Sequence, residues 1–249
     1  MIGDLAIDYA WTHPDPAVIK AAGYKGVIRY LSHDPSKNLT TTERDGLHGE
    51  GLWILLVWED SAAAALGGAN AGNAHGIEAA KQAAALGYPT SVPLFHAVDF
   101  DAQPSQMRAV LAYGDAFATH WQTGPYGGKN VIDGATAKWR WQASAWSRGI
   151  LSPSASLFQR LRPTLTLPGS FDENVVLAAD LPVWQPPGTL QGDEMASPYL
   201  IRTPDGEIDL VLGAALVHLT PAELAAYSNL PVVPIGQDEG NRARAKFGV

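Results

Sequence analysis

Eight short apolar runs alternate with helical segments over residues 1–180, and this alternation restricts the fold more than any other feature. A repeated strand–helix–strand pattern builds a parallel sheet with crossover helices. The strand candidates are residues 5–8, 27–31, 52–58, 93–101, a strand-to-turn element over 124–128, 139–143, 157–161 and a minimal 170–172. Asp15-Pro16 opens a helix to Ala22, with Asp15 as N-cap and proline at the first helical position. Thr40-x-x-Glu43 has the form of a capping box. Further helices are expected over 74–86, 105–121 and 130–138, with a terminal helical turn over 174–179. The Gly/Ala-rich stretch carrying Asn70 and Asn73 reads as a loop. Eight strands in this length predict a compact (β/α)8 barrel, an α/β fold slightly below its usual size. An open doubly wound sheet is the alternative, but no Gly-rich dinucleotide loop follows the first strand.

The stretch 93–101 carries the clearest chemistry. It starts as a buried strand and ends in Asp99 and Asp101, which strand alternation puts on one face, with His96 and Val98 on the other. Two carboxylates held side by side repel, and partial desolvation pushes one of them towards its protonated form, as an acid/base pair requires. The plainer reading is that Asp99 ends the strand and Asp101 starts a turn. Asp8, Glu59, Asp99, Asp101, Tyr126, Gln142, Gln159 and Asp172 all fall at or just past strand ends. In a barrel those ends meet at one mouth. Helix capping explains one or two of these residues, not the set. Trp58, Trp141 and Trp146 lie nearby, and indole faces beside carboxylates and amides suit a sugar.

Composition excludes several classes. The formal net charge of -8 argues against phosphate-backbone binding. With no cysteine there is neither a disulfide nor thiolate chemistry. The start lacks a signal-peptide pattern, and the longest apolar run is too short to span a bilayer, so no membrane span is expected. No H-E-x-x-H and no close histidine pair appears, so neither a metal nor another cofactor is expected. His96 reads as a packed histidine between barrel and helices, and His13 and His33 as loop residues near the mouth. Residues 181–198 are rich in Pro and Gly and read as a linker. Residues 199–249 read as a small β-rich module, with strands near 199–202, 208–212, 216–219 and 232–235, a helix from Thr220 to Tyr227, and a solvated tail with Arg242, Arg244 and Lys246.

With these residues placed, the first 185 positions resemble the glycoside-hydrolase-like TIM-barrel domains of actinobacterial and phage proteins, relatives of the family-25 (Chalaropsis-type) lysozymes. The matching motifs are Ile7-Asp8-Tyr9-Ala10-Trp11, Ala22-Gly23-Tyr24, Arg29-Tyr30-Leu31 and Lys37-x-Leu39-Thr40. Ala97-Val98-Asp99-Phe100-Asp101, Tyr126-Gly127, Trp141-Gln142-x-x-Ala145-Trp146-Ser147, Gln159 and Phe171-Asp172-Glu173-Asn174 complete the set. The lysozymes cut the β-1,4 bond between N-acetylmuramic acid and N-acetylglucosamine, and their fourth strand carries D-x-E with the glutamate as general acid. The resemblance implies catalytic roles for Asp99, Asp8 and Asp172, and it places Asp101 where that glutamate stands. Aspartate is one methylene shorter, and a displacement of about 1 Å costs on the order of a hundredfold in rate. Glu59 is the candidate for a compensating carboxylate. Trp11, Arg29, Trp58, Tyr126, Trp141, Gln142, Trp146, Gln159 and Asn174 are the expected sugar contacts. Two functions follow as expectations: a peptidoglycan hydrolase, or a wall-glycan-binding component of a phage tail. In either case the protein is made in the host cytoplasm and acts at the cell wall, with residues 199–249 as a possible contact to other virion proteins.

Overall fold

The computed structural model describes residues 2–187 and the strands Tyr199–Arg202, Ile208–Leu212, Ala215–His218 and Val232–Pro234. The chain divides into two compact units, Met1–Pro186 and Pro187–Val249. The first is a closed barrel of β1 (Leu5–Asp8), β2 (Gly26–Leu31), β3 (Trp53–Trp58), β4 (Leu94–Ala97), β5 (Pro125–Gly127), β6 (Trp141–Ala143), β7 (Leu157–Arg160) and β8 (Asp172–Val176). The expected barrel is therefore present and the open sheet is excluded.

Strands β1 to β7 run parallel, whereas β8 is antiparallel to both β7 and β1. The residues expected to form a closing helical turn, 174–179, instead begin inside β8 and close the barrel edge. The reversal decides where Asp172 lies. It starts its strand, yet it pairs with Asp8 at the end of β1, so both acids reach the same mouth.

Five helices surround the barrel: α1 (Pro16–Ala21), α2 (Thr41–Gly49), α3 (Gly68–Leu86), α4 (Met107–Phe117) and α5 (Lys129–Gly134). The predicted caps form: Asp15 accepts from the Ala17 N–H and Thr40 from the Glu43 N–H. Helix α3 begins six residues before its expected start, after a short 3-10 turn at Ala64–Gly67, so Asn70 and Asn73 are helical. The glycines that suggested a loop are packing positions. A Cβ on Gly72 would lie 2.1 Å from the Tyr113 carbonyl oxygen, and one on Gly76 3.1 Å from the Phe117 backbone. Their absence lets α3 and α4 approach closely.

His96 points outwards, as expected of a packed histidine. Its ring lies 5.7 Å from that of Tyr113 and 5.5 Å from that of Phe117, and Nδ1 is 2.9 Å from the Thr123 hydroxyl. Burial pushes its pKa down to about 3.

The expected linker does not start at residue 181. Leu181 and Val183 are buried, and Trp184 pairs antiparallel with Ile54 while its ring sits 5.3 Å from Tyr88 and 4.9 Å from His48. Apolar side chains in a Pro-rich segment favour docking over a free chain. In the second unit the described strands form one sheet in the order β11 (Ala215–His218), β10 (Ile208–Leu212), β9 (Tyr199–Arg202), β12 (Val232–Pro234), with β9 and β12 parallel. The expected helix over Thr220 to Tyr227, residues 188–198 and the basic tail lie outside the described residues. Among the described residues no helix is long and apolar enough to cross a membrane.

Trp184→Ala is expected to destabilise the barrel by about 2 kcal/mol, read as a lower midpoint in chemical denaturation. An unchanged midpoint would mean that this segment is not part of the folded core.

Candidate active site

The barrel mouth opens into a cavity of about 250 Å³. Four carboxylates line it: Asp8 from β1, Glu59 after β3, Asp99 after β4 and Asp172 at the start of β8. Tyr30, Lys37, Tyr126, Gln159 and Trp11 contribute to the same wall.

Its floor is a branched hydrogen-bond network of side chains from six strands, centred on Asp8. Asp8 is 1% exposed. Its Oδ1 accepts from the Tyr30 hydroxyl at 2.9 Å, and Oδ2 accepts from the Gln159 amide at 2.9 Å and the Asn174 amide at 2.8 Å. The Gln159 carbonyl accepts from the Tyr126 hydroxyl at 2.7 Å, and the Asn174 carbonyl from the Trp141 indole at 2.8 Å. Each amide therefore has its nitrogen on the carboxylate and its oxygen on a donor, which fixes its orientation. Burial pushes the Asp8 carboxyl up to about 7, the Asp172 charge adds to this, and the three hydrogen bonds hold it back. Burial, and next the charge of Asp8, raise Tyr30 and Tyr126 well above the ordinary phenol range, so both stay protonated donors.

The walls carry the other acids. Glu59 is ion-paired with Lys37, whose ammonium also reaches the Glu59 carbonyl at 3.3 Å and lies 4.6 Å from the Tyr30 ring centroid. Asp99 accepts from the Trp146 indole at 3.3 Å. Asp172 stands at the rim, where partial burial, then the Asp99 charge, lift its carboxyl above the usual range. Trp11 is 65% exposed at the same rim.

Several expected site residues lie elsewhere. Asp101 does not line the cavity. Its side chain is 44% exposed, 3.8 Å from the Arg148 guanidinium. Strand β4 ends at Ala97, and the Asp101 carbonyl accepts from the Gln103 side chain, so alternation does not extend to residue 101 and the expected aspartate pair does not form. The charge that Asp99 perturbs is that of Asp172 instead.

Arg29 is fully buried on the other face of β2. It bonds Glu43 at 2.7 and 3.2 Å and the backbone carbonyls of Tyr9 and Lys37. A guanidinium satisfied on every side is not available to a sugar. Trp58, at 1% exposure, packs outwards against His33 and His75. Gln142 is buried and holds the backbone of Ile150 and Ser152 at 2.8 Å each. Trp141 and Asn174 belong to the hydrogen-bonded floor and do not line the cavity. Of the expected sugar contacts, Trp11, Tyr126 and Gln159 line the cavity, and Trp146 reaches it through Asp99.

The residue-by-residue reading missed Tyr30 and Lys37. Strand parity carried the signal for the first: with Arg29 turned outwards, Tyr30 must face the barrel interior. Of the loop histidines, His13 pairs with Glu43 at 3.3 Å and His33 with Asp60 at 2.6 Å. His33, Asp60 and His75 come together although they are far apart in the chain.

The raised Asp8 carboxyl sets a pH dependence. Its folded pKa lies above the ordinary carboxylate value, so its contribution to stability is complete below about pH 4 and is lost as pH rises through about 7. Asp8→Asn keeps an oxygen for the two amides and removes the charge. Its stability relative to the unsubstituted chain is expected to rise between pH 4 and pH 8, measured as the difference in melting temperature; a difference that falls over that range would contradict the assignment.

Residues 17–178 match the family model described as "Rv2525c-like, glycoside hydrolase-like domain". The chain is 31% identical over 172 residues to the Mycobacterium tuberculosis protein named "Putative peptidoglycan hydrolase Rv2525c", covering 61% of this chain and 72% of that one. It is also similar to the crystal structure of the Mycobacterium tuberculosis Tat-secreted protein Rv2525c in complex with L-tartrate, with a TM-score of 0.67 and 28% identity over 74% of this chain and all of that one. A protein from B. stearothermophilus shares the fold at 21% identity and a TM-score of 0.54, covering 70% of this chain and 96% of that one. The chain thus belongs to the Rv2525c-like glycoside hydrolase-like domain family.

Proposed function

We propose that this chain is a peptidoglycan-directed glycoside hydrolase that cleaves β-1,4 bonds of the wall glycan as a lysozyme does. The observation that carries the reading is the convergence of Asp8, Glu59, Asp99 and Asp172 on one cavity beside the exposed Trp11 indole. The name of the mycobacterial relative supports the substrate class.

A glycosidase needs one carboxyl that holds a proton near neutral pH and one carboxylate facing the oxocarbenium-like centre. Asp172 is the candidate for the first role, because partial burial and then the Asp99 charge lift its carboxyl above the usual range, and it stands at the rim of the cavity. Asp99 meets the second, with the Trp146 indole N–H orienting it. Glu59 is committed to Lys37, and Asp8 to the floor, where it aims Gln159 and, through it, Tyr126. Trp11 offers a face for a sugar ring. As the resemblance implies, deployment is by a phage of actinobacteria, acting at the host wall.

A second reading, wall-glycan binding without cleavage in a virion component, draws on one specific observation. The acid at the position of the lysozyme glutamate is Asp101, which is short and lies outside the cavity.

The test is release of reducing ends from purified actinobacterial peptidoglycan, with wall pull-down in parallel. Asp99→Asn and Asp172→Asn are each expected to lower release by about a hundredfold or more while binding persists. Asp101→Asn is expected to stay within about threefold of the unsubstituted rate, since that side chain does not line the cavity. Binding without release by the unsubstituted chain would establish the second reading and remove the first.

A further inference from the structure

We propose that His33, Asp60 and His75 form a binding site for a divalent transition-metal ion, zinc in first place, on the outer lip of the barrel mouth. The three residues come from three separate elements: the loop after β2, the loop after β3, and helix α3. One ligand atom from each lies within 4.8 Å of the others. His33 Nδ1 is 2.6 Å from Asp60 Oδ1, and His75 Nε2 is 3.8 Å from Asp60 Oδ2. Two imidazoles on one carboxylate match the donor set that holds zinc in open sites, with bonds of about 2.0–2.2 Å. Tetrahedral bonds of that length set neighbouring ligand atoms about 3.3 Å apart, so on metal binding the 2.6 Å His33–Asp60 pair opens and the wider gaps close, a rearrangement that the exposed His33 ring can make.

Two features separate this group from an ordinary surface His–Asp pair. The first is support behind a ligand. His75 presents Nε2 to Asp60, and its other nitrogen, Nδ1, lies 2.9 Å from the Tyr113 hydroxyl on α4. Metal-binding histidines are oriented in this way, by an oxygen partner on the nitrogen away from the metal. The second is the adjoining wall. The Trp58 ring lies 5.2 Å from His33 and 5.5 Å from His75, and its buried indole N–H has no acceptor among the described residues. The cluster is therefore built against packed structure on one side and open to water on the other, with side-chain exposures of 57% for His33, 29% for Asp60 and 15% for His75. Three protein ligands leave a fourth position for water.

The position gives the ion a mechanical role. Asp60 follows Glu59, and His33 lies on the loop that carries Lys37. A metal there cross-links the two loops holding the Lys37–Glu59 pair and ties both to α3. The inference concerns metal binding alone and holds whether or not the cavity cleaves glycan.

The experiment uses the full chain without an affinity tag, stripped with chelator and titrated with zinc by calorimetry. Cobalt titration followed by visible absorption runs alongside. Stoichiometric binding with a Kd of about 1 µM or tighter is expected, with a rise in melting temperature. His33→Ala, an exposed position whose fold circular dichroism checks, is expected to weaken zinc binding by at least about tenfold and abolish the rise. Tyr113→Phe is expected to weaken binding by about tenfold, with the cobalt spectrum retained. Zinc bound equally well by His33→Ala and Asp60→Asn, or no stoichiometric zinc uptake, would overturn the proposal.

Discussion

The buried carboxyl of Asp8 is the constraint on which the mouth of this barrel depends. Placing an acid at 1% exposure is unfavourable unless its oxygens are fully hydrogen-bonded. Three strands supply those donors, as Tyr30, Gln159 and Asn174. The two amides are in turn held by Tyr126 and Trp141. The network joins six strands through polar side chains whose positions must all agree. Removing one member leaves a buried donor or acceptor unpaired, which costs more than an ordinary bond contributes. The floor is consequently rigid, and the acids above it are presented from fixed strand ends.

The antiparallel β8 completes this geometry. In a barrel of parallel strands only C-terminal ends face the mouth. Reversal brings the start of β8 there, so Asp172 stands opposite Asp8, and Asn174, two residues on, reaches the floor. The intervening Glu173 turns to the outer face, where Arg160, Tyr24 and Thr164 satisfy it. Three consecutive polar residues thus serve two surfaces, and period-two alternation sorts them. Raised carboxyls at Asp8 and Asp172 follow from burial and then from the crowding of acids at the mouth.

Much of the barrel was legible in the sequence because strand ends and helix caps are local signals. Asp15-Pro16 and Thr40-x-x-Glu43 cap their helices as read. The acids Asp8, Glu59, Asp99 and Asp172 meet at the mouth as a barrel requires. What local signals could not show was the face of each residue. Arg29, Trp58 and Gln142 sit near strand ends but on the outer surface, where they tie helices and loops to the barrel. Asp101 was misplaced because β4 ends at Ala97 and a turn breaks the alternation assumed for it. The glycines of α3 read as a loop because their partner is the backbone of α4, remote in the chain. The meeting of His33, Asp60 and His75 was invisible for the same reason.

The central claim is that wall glycan enters this mouth and meets Asp99 and Asp172 rather than Asp101. Carboxyl ¹³C NMR of the labelled protein, with and without soluble peptidoglycan glycan fragments, tests it most directly. The account predicts that the Asp8, Asp99 and Asp172 signals move on addition of the fragments while Asp101 stays in place. Movement of Asp101 with the three mouth aspartates unmoved would contradict it.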